Sequence, residues 1–270
     1  MGRQDGALSE HETERRVFDA ARTVLARTGL AVSLDHISLE ELIRDAGVSS
    51  GAVYRRWPDE DQFLGDLVKE LARTAVPSMD DEEIGAIERV IAERADELRT
   101  PEDRDALVAE AMRQLGLFDF ETHYQSTQWK TYLALNAACA SSPDDDHRAQ
   151  VRAALAESEQ AHIRASAKVL ELLAGLVGYR LRPETAASFD TVAILMTAAV
   201  RGVTTMATSD PDLATTRLEA APFRSTERAE WSLPAMALAA IVSALLEPDP
   251  EIEWNAERAT ALREVVGPVR

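Results

Sequence analysis

The chain has 270 residues, with 29 lysines and arginines against 47 aspartates and glutamates, which gives a formal net charge of −18. Its apolar fraction of 46% is typical of a globular protein and excludes a disordered chain, and the length predicts one or two domains. The single cysteine, Cys139, excludes an intramolecular disulfide and indicates a reducing, cytoplasmic setting. Taken at face value, the charge also argues against a nucleic-acid partner.

The sequence predicts no membrane partner. Residues 1–16 contain no apolar segment of the kind that a secretory signal needs. The longest uncharged apolar stretch, residues 231–246, is shorter than the ~20 residues that span a bilayer.

The acidic charge is unevenly distributed along the chain. Residues 1–75 hold 10 basic and 14 acidic residues, a balance of −4, and residues 76–270 hold 19 and 33, a balance of −14. The N-terminal part is therefore less acidic than the rest, although it is not basic.

Apolar residues recur at helical spacing along most of the chain, and this pattern predicts an all-α fold. In chain order, the stripes are Val17, Ala20, Ala21, Val24 and Leu25; Leu39, Leu42, Ile43 and Ala46; Phe63, Leu64, Leu67, Val68 and Leu71; and Val151, Leu155, His162, Val169, Leu173, Leu176 and Val177. No alternating run predicts a strand, and the weak alternation at 32–37 is interpreted as an ordered loop. The pattern breaks at residues 74–83, which we predict to join an N-terminal domain, 1–75, to a larger domain, 76–270.

The most informative segment covers residues 38–57. Ser38 and Glu41 have the spacing of a capping box, which predicts the start of a helix. Gly47 stands where a helix ends in left-handed geometry, and Ser49 can cap a second, short helix. Two helices joined by a three-residue turn predict a helix-turn-helix, the layout that places a recognition helix in the major groove of DNA.

This segment also resembles a known motif. Residues 46–58 read AGVSSGAVYRRWP, and the DNA-binding domain of the TetR family of bacterial transcriptional regulators ends in A-G-V-S-x-x-x-[LV]-Y-x-x-[FW]-P. The resemblance extends over about residues 11–73, and the rest of the chain resembles the family in architecture alone. It implies a three-helix DNA-binding head, a helical effector-binding and dimerisation domain, and a homodimer that binds operator DNA.

Eight residues of the motif are candidates for contact with DNA: Ser38, Ser49, Ser50, Gly51, Ala52, Tyr54, Arg55 and Arg56. The small residues 50–52 would let the first turn of the recognition helix approach base edges. Arg55 and Arg56 form a cationic pair suited to phosphate or guanine. The resemblance implies that Tyr54 bonds a phosphate, and Trp57 is interpreted as core. The structural alternative is that the arginines pair with acidic neighbours and the tyrosine packs on the first helix.

The motif departs from the family pattern at positions that would contact phosphate. Ser50 stands where the family often has lysine or arginine, and Glu60, flanked by Asp59 and Asp61, stands where it often has a phosphate-binding lysine. The loop 29–38 is also longer than usual. Because each lost phosphate contact weakens binding, the sequence predicts weak DNA binding per subunit and a need for dimerisation.

Two segments of the larger domain, residues 189–200 and 231–246, are apolar on nearly every side. Such helices must be covered all round, and a second subunit is one way to cover them. The predicted homodimer interface consists of Val192, Leu195, Met196, Ala199, Val203, Leu238, Ile241, Val242 and Leu245. The alternative is that other helices of the same chain cover these segments.

Aromatic residues cluster at 118–132 and predict a pocket for a small apolar or aromatic effector. The candidate effector-binding residues are Phe118, Phe120, His123, Tyr124, Trp129 and Tyr132, with His162 as a further polar group. The alternative is a core cluster with a satisfied buried histidine.

Nothing in the sequence predicts catalysis, a cofactor or a metal site. The sequence has no H-E-x-x-H, no glycine-rich phosphate loop, no G-x-S-x-G and no cysteine beside a histidine. The run DDDH at 144–147 is explained as a helix N-terminus with favourable charge–dipole contacts.

These patterns favour a cytoplasmic DNA-binding transcriptional regulator, specifically a homodimeric repressor that a small molecule releases from its operator. The alternative is a helical ligand-binding or scaffolding dimer whose head has lost useful DNA affinity, and Ser50 and Glu60 motivate it. In either case the acidic charge outside residues 1–75 would suppress non-specific DNA binding.

Overall fold

The computed structural model of the chain describes residues 8–28, 37–74, 85, 89–90, 94, 100–124, 126–141, 146–225, 227–253, 255, 258 and 260. The loop predicted at 32–37 and the domain junction predicted at 74–83 lie almost entirely outside these residues. The first two residues of the acidic run 144–147 and the side chains of the other two lie outside them as well.

Helices dominate the described residues, so the all-α prediction is confirmed. The helices are α1 (Glu10–Thr28), α2 (Leu39–Ala46), α3 (Ser50–Arg56), α4 (Glu60–Arg73), α5 (Pro101–Tyr124), α6 (Thr127–Ser141), α7 (Asp146–Leu176), α8 (Phe189–Ala207), α9 (Asp212–Thr215) and α10 (Leu233–Leu245). The other elements are a 3₁₀ turn (Pro183–Thr185) and the strands β1 (Tyr179–Leu181), β2 (Arg217–Ala220), β3 (Ala229–Ser232) and β4 (Leu246–Pro248).

The chain divides into two compact units. The first consists of residues 1–77 and 126–159, and the second of residues 78–125 and 160–270. This division differs from the predicted one, which placed every residue after 75 in a single domain. The physical reason is apolar packing, because Leu135, Val151 and Leu155 of α6 and α7 share a buried cluster with the core of α1 to α4.

Side-chain and backbone caps set the ends of the short helices in the first unit. The Ser38 hydroxyl accepts a hydrogen bond from the Glu41 N–H at 3.4 Å. The Ser49 hydroxyl accepts one from the Ala52 N–H at 3.3 Å. α2 ends at Ala46 and is capped by Gly47, whose φ of 63° lies in the left-handed region that glycine adopts without steric cost. The predicted starts of α2 and α3 and the predicted end of α2 are confirmed.

Trp57 occupies the centre of the first unit's core. Its side chain is fully buried, and its ring centroid lies 5.4 Å from that of Phe18 and 5.2 Å from that of Phe63. The indole N–H donates to the Asp66 carboxylate at 3.1 Å, so its burial leaves no unmet donor. Val53 of α3 is also fully buried, so α3 and the capping residue Trp57 place these two side chains inward and leave the opposite face of α3 outward. The interpretation of Trp57 as a core residue is confirmed.

α10 occupies the centre of the second unit. It packs against α5 and α8, and α5 also packs against α8. Val192 and Met196 of α8 lie in one buried cluster with Leu238 and Val242 of α10. Other helices of the same chain therefore cover much of the apolar surface of α10.

Two short antiparallel ribbons, which the sequence analysis did not predict, complete the second unit. β1 pairs with β4 and places Arg180 opposite Glu247, and their side chains form an ion pair at 2.9 Å. β2 pairs with β3 and places Leu218 opposite Trp231. Strands of three or four residues are too short to display an alternating pattern, which explains why the sequence did not predict them.

Among the residues that the structure describes, one helix, α8, is long and apolar enough to cross a membrane by length and composition alone. This finding is weak evidence, because core helices of soluble proteins pass the same test. Val192, Ala193 and Val200 of α8 are each buried in the second unit.

We predict that Gly116→Ala destabilises the second unit by about 1–3 kcal/mol, the usual cost of overpacking. α5 and α10 approach so closely that a Cβ on Gly116 would lie 2.5 Å from the Cα of Ala235. Gly175→Ala is the matched control, because a Cβ there meets nothing within 4 Å and alanine favours a helix. Urea denaturation followed by circular dichroism measures both variants, and equal unfolding midpoints would contradict the close approach.

Candidate functional site

The candidate DNA-reading element is the pair of helices α2 and α3. Each packs against α1 and against the other. The turn between them is closed by a hydrogen bond from the Gly47 N–H to the Arg44 carbonyl at 3.2 Å. A second bond runs from the Val48 N–H to the Ile43 carbonyl at 3.3 Å. These contacts fix the direction in which α3 leaves the turn, as a helix-turn-helix requires.

α3 turns a polar face to solvent. Ser50 and Gly51 are exposed at its first turn, and Ala52 beside them is half-buried. One turn further on, Tyr54 is 42% exposed and Arg55 is exposed as well. The structure thus brings five of the eight predicted DNA-binding residues together on or beside one face. This face offers a phenol hydroxyl, a guanidinium and a small first turn, groups that suit DNA phosphates and base edges.

The two capping serines, Ser38 and Ser49, use their hydroxyl oxygens to accept hydrogen bonds from their own helices. A hydroxyl that accepts one hydrogen bond still has its own hydrogen to donate. Both residues can therefore cap a helix and donate to a phosphate at the same time.

Arg56 has partners inside the first unit. Its Nη2 lies 2.9 Å from Asp66 Oδ2 and 3.5 Å from Glu14 Oε1. Its guanidinium carbon lies 5.1 Å from the centroid of the Trp57 ring. Arg56 thus pairs with acidic neighbours, as the alternative in the sequence analysis described. This pairing corrects the expectation that both arginines of the pair face DNA. Arg55 is the exposed member of the pair.

Asp66 joins this network to the core. Burial alone would raise the pKa of the Asp66 carboxyl, but hydrogen bonds from Trp57 and Lys69 and the charges of Lys69 and Arg56 lower that pKa below its ordinary value. The carboxylate therefore stabilises the folded unit above the ordinary pKa of an aspartate, and this contribution is lost as the pH falls through the lowered pKa. The charge of Arg56 thus supports the fold.

Glu60 makes a contact that the sequence analysis did not predict. Its Oε1 accepts a hydrogen bond from the Leu39 backbone N–H at 3.1 Å, at the N-terminus of α2. Helix N-termini attract anions because their first N–H groups have no partner within the helix and the dipole is positive there. The carboxylate of Glu60 therefore takes a donor that a DNA phosphate would otherwise use. The two residues are 21 positions apart, so no local pattern indicated the contact.

The predicted effector-binding aromatic residues are divided between the two units. Phe118, Phe120, His123 and Tyr124 lie on α5 in the second unit, whereas Trp129 and Tyr132 lie on α6 in the first. Phe120 stacks on Tyr124 with ring centroids 5.2 Å apart. Trp129 is buried and stacks on Tyr132 with centroids 5.0 Å apart. Each pair thus packs within its own unit, which corrects the expectation of a single aromatic cluster.

The two predicted histidines have contacts inside the second unit. His123 Nδ1 lies 2.6 Å from the Asp119 carbonyl oxygen and 2.7 Å from its carboxylate Oδ1. His162 Nε2 lies 3.3 Å from Thr197 Oγ1, which links α7 to α8. Both histidines are half-buried, and each makes these contacts through one ring nitrogen.

The predicted dimer residues fall into three groups. Val192, Met196, Leu238 and Val242 are at most 7% exposed and belong to the second unit's core, so the structure corrects their assignment to an interface. Ala199, Val203, Ile241 and Leu245 are half-buried, and Leu195 is 43% exposed. The physical reason is that α5, α8 and α10 cover one another on their inner sides, which leaves the outer face of α8 open.

The second unit contains two neighbouring cavities that none of the predicted effector residues lines. One is apolar, with a volume of about 530 Å³, and the other is partly polar, with a volume of about 430 Å³, both counted with the space open to solvent. The partly polar cavity includes Asp105, Arg182 and Arg224 in its lining. The residues that line both cavities are Val108, Met112, Tyr179, Val242 and Leu246.

Comparison with solved structures bears on the fold. A protein from Mesorhizobium loti assigned to the TetR family of transcriptional regulators aligns with a TM-score of 0.50 and 15% identity, over 88% of this chain and 98% of that one. SmeT, the repressor of the Stenotrophomonas maltophilia multidrug efflux pump SmeDEF, aligns with a TM-score of 0.40 and 18% identity, over 90% and 96% of the two chains. No family model matches the sequence, and no curated protein is detectably similar to it.

The likeness to the Mesorhizobium loti protein defines the fold, and at 15% identity it defines the fold alone. The chain has the all-α fold of the TetR-family regulators, as the motif at residues 46–58 led us to expect.

Proposed function

We propose that the protein is a DNA-binding transcriptional regulator, specifically a homodimeric repressor that a small molecule releases from operator DNA in the cytoplasm. The observation that carries the proposal is the exposed face of α3. On this face the exposed Tyr54 and Arg55 follow a first turn made of the small residues 50–52. The helix that carries them is capped by Ser49 and buries Val53. The TetR-type fold supports the same role.

Each group on this face has a role in the proposal. Arg55 binds a phosphate or a guanine edge, and Tyr54 donates its hydroxyl to a phosphate. The small residues 50–52 let α3 enter the major groove. Ser38 and Ser49 add hydroxyl donors to phosphates at the starts of their helices. Arg56 supports the fold through Asp66 and is not assigned to DNA.

A stripe on α8 supports the homodimer. Leu195, Ala198, Gly202 and Met206 follow one another at intervals of three or four residues, so they lie on one face of the helix. Leu195 is 43% exposed, Met206 is 59% exposed and the neighbouring Ile194 is 52% exposed. The two small residues between them allow another helix to approach closely. A second copy of the chain would cover this stripe and present two α3 helices to DNA about a two-fold axis.

Release from DNA requires a ligand that binds the non-DNA conformation more tightly than the DNA-bound one. In a two-fold dimer, the recognition helices must match half-sites separated by about one turn of DNA, roughly 34 Å. A ligand that changes this separation therefore lowers operator affinity without touching DNA.

A second candidate function has a specific observation in its favour. Glu60 places a carboxylate on the Leu39 N–H at the start of α2, and Ser50 offers no cation at the start of α3. Both features reduce phosphate binding. They favour a ligand-binding or scaffolding dimer whose head has lost useful DNA affinity.

We predict that Arg55→Ala weakens DNA binding about tenfold or more and lowers the slope of its salt dependence by about one unit per subunit, because one cation fewer displaces counterions. A gel shift with the DNA upstream of the protein's own gene, over a series of salt concentrations, measures both effects. Arg73→Ala is the matched control, because Arg73 is an exposed arginine of the same unit that pairs with Glu70 on α4.

The absence of a salt-sensitive complex, or a complex unaffected by Arg55→Ala, would contradict the assignment of α3 as the recognition helix. Arg56→Ala provides a contrast. Because Arg56 holds Asp66 and Glu14, we expect this variant to lower the melting temperature of the first unit.

We predict that the double variant Ser50→Lys/Glu60→Lys strengthens DNA binding roughly tenfold, because it adds cations where phosphates would lie and frees the Leu39 N–H. The matched control is Ser209→Lys/Glu219→Lys, which makes the same charge change at exposed positions of the second unit. Gel shifts of the three proteins at one salt concentration measure the gain. A large gain from a negligible starting affinity would favour the second candidate function instead.

We predict that Leu195→Glu converts the dimer to a monomer, because it places a charge in the middle of the α8 stripe. Leu218→Glu is the matched control, since Leu218 on β2 is a similarly exposed leucine, at 41%, outside the stripe. Sedimentation velocity at micromolar concentration separates the two species. A monomeric unmodified chain, or dissociation caused by Leu218→Glu alone, would be incompatible with a dimer built on α8.

A further inference from the structure

Arg55 differs from the neighbouring cations of the first unit in having no acidic partner. In residues 8–25 and 37–74, whose side chains the structure describes, Arg55 forms no ion pair with another described residue. Every other lysine or arginine there pairs with a carboxylate, namely Arg15, Arg16, Arg22, Arg44, Arg56, Lys69 and Arg73. The Arg55 guanidinium can therefore bind DNA without first leaving an internal partner.

Arg55 also lies on the line of α3 that is farthest from the core. A helix turns by about 100° per residue, and Gly51 and Arg55 each stand two positions from the fully buried Val53. Both residues therefore lie about 160° around the helix from Val53, nearly opposite to it, and both are exposed. Tyr54 stands one position from Val53, so it lies about 100° away, on the flank of the helix.

The outermost line and the flanks of such a helix meet different parts of DNA. A helix with its side chains is about 10–12 Å wide and the major groove is about 12 Å wide, so the helix nearly fills the groove. Side chains on its flanks then face the sugar–phosphate walls, whereas side chains on its outermost line face the base edges. Tyr54 is thus placed for a phosphate and Arg55 for a base.

Gly51 leaves room on the same line. Glycine inside a helix is less favourable than alanine, and nothing among the described residues requires it here, because its φ is not positive and a Cβ would meet no described atom within 4 Å. Long side chains on a helix lean toward its N-terminus, so Arg55 covers the turn that holds Gly51, four residues earlier. With no side chain at position 51, the guanidinium can lie between α3 and the base edges.

We propose that Arg55 is the specificity-determining residue of this face, and that its guanidinium donates hydrogen bonds to N7 and O6 of one guanine in each operator half-site. Guanine offers two acceptors side by side in the major groove, whereas adenine offers one acceptor beside a donor. The inference rests on the proposed function and deepens it, because it names the base pair that the operator must contain.

Selection of bound sequences from a library of random DNA duplexes, with the full chain at low salt, tests this assignment. We expect a two-fold symmetric sequence with a G·C pair at one fixed position of each half-site. Arg55→Gln should select A·T at that position and keep the others, because glutamine matches N6 and N7 of adenine. Arg73→Gln is the matched control, because Arg73 is an exposed arginine that pairs with Glu70, and it should select the original sequence.

An Arg55→Gln chain that selects the original sequence with lower affinity would overturn the proposal, because loss of a phosphate contact weakens all sequences alike. The salt dependence does not separate the two roles, since the charge of Arg55 displaces counterions at either acceptor. Replacing the selected guanine by 7-deazaguanine, which lacks the N7 acceptor, provides a second measurement. We expect this replacement to weaken binding of the unmodified chain about tenfold and to leave Arg55→Gln unaffected. Equal losses in the two proteins would also overturn the proposal.

Gly51→Leu tests the room at position 51. We expect binding to the selected sequence to weaken about tenfold, while the melting temperature does not fall because leucine favours a helix. Gly175→Leu is the matched control, since a Cβ on Gly175 likewise meets nothing within 4 Å, and it should leave DNA binding unchanged. Unaltered binding by Gly51→Leu would contradict an approach of bases over this position.

Failure of this proposal is distinguishable from failure of the proposed function. A chain that selects one sequence, with no change caused by Arg55→Gln, refutes the guanine contact and retains the regulator. A folded chain that enriches no sequence and forms no salt-sensitive complex refutes the regulator and the guanine contact together.

Discussion

The burial of Trp57 is the constraint on which the candidate DNA-reading face depends. α3 has only seven residues, and a helix of that length is not stable in water by itself. It persists because Val53 and Trp57 are fully buried, with Trp57 against Phe18 and Phe63, and because the indole N–H finds a partner in Asp66. The same packing fixes which side of α3 faces water. The exposure of Arg55 is thus a consequence of the core beneath it.

This arrangement changes the meaning of the net charge of −18. Two groups near α3 that could bind phosphates already have partners inside the first unit. Arg56 forms ion pairs with Asp66 and Glu14, and the first N–H of α2 donates a hydrogen bond to Glu60. Few positive groups are then left for phosphates on one subunit. A protein of this kind gains useful DNA affinity by presenting two such faces together. Because non-specific DNA binding is almost wholly electrostatic, the scarcity of positive groups weakens non-specific binding before it weakens specific binding.

The sequence predicted features that depend on neighbouring residues and missed those that depend on distant ones. The caps at Ser38, Gly47 and Ser49 involve partners three to five positions away, so composition and spacing were sufficient. The hydrogen bond from Leu39 to Glu60 joins residues 21 positions apart, and the ion pair of Arg224 with Asp105 joins residues 119 apart, so no local pattern contained either contact. Likewise, a segment that is apolar on every side predicts a helix that is covered all round, but the pattern does not identify the element that covers it.

The helices α8 and α10 resolve that ambiguity in different ways, and the difference connects the proposed dimer to the proposed release by a small molecule. α10 is covered by α5 and α8, and its Val242 lines both cavities. α8 buries Val192 and Met196 on its inner side and leaves Leu195 open on the other. Since α5, α8 and α10 pack pairwise, a ligand that shifts α10 against α5 must also act on α8. A second copy of the chain bound to the open face of α8 would experience that shift. A cavity at one side of this three-helix packing and an interface at the other are therefore energetically coupled whenever the ligand prefers one arrangement of the helices.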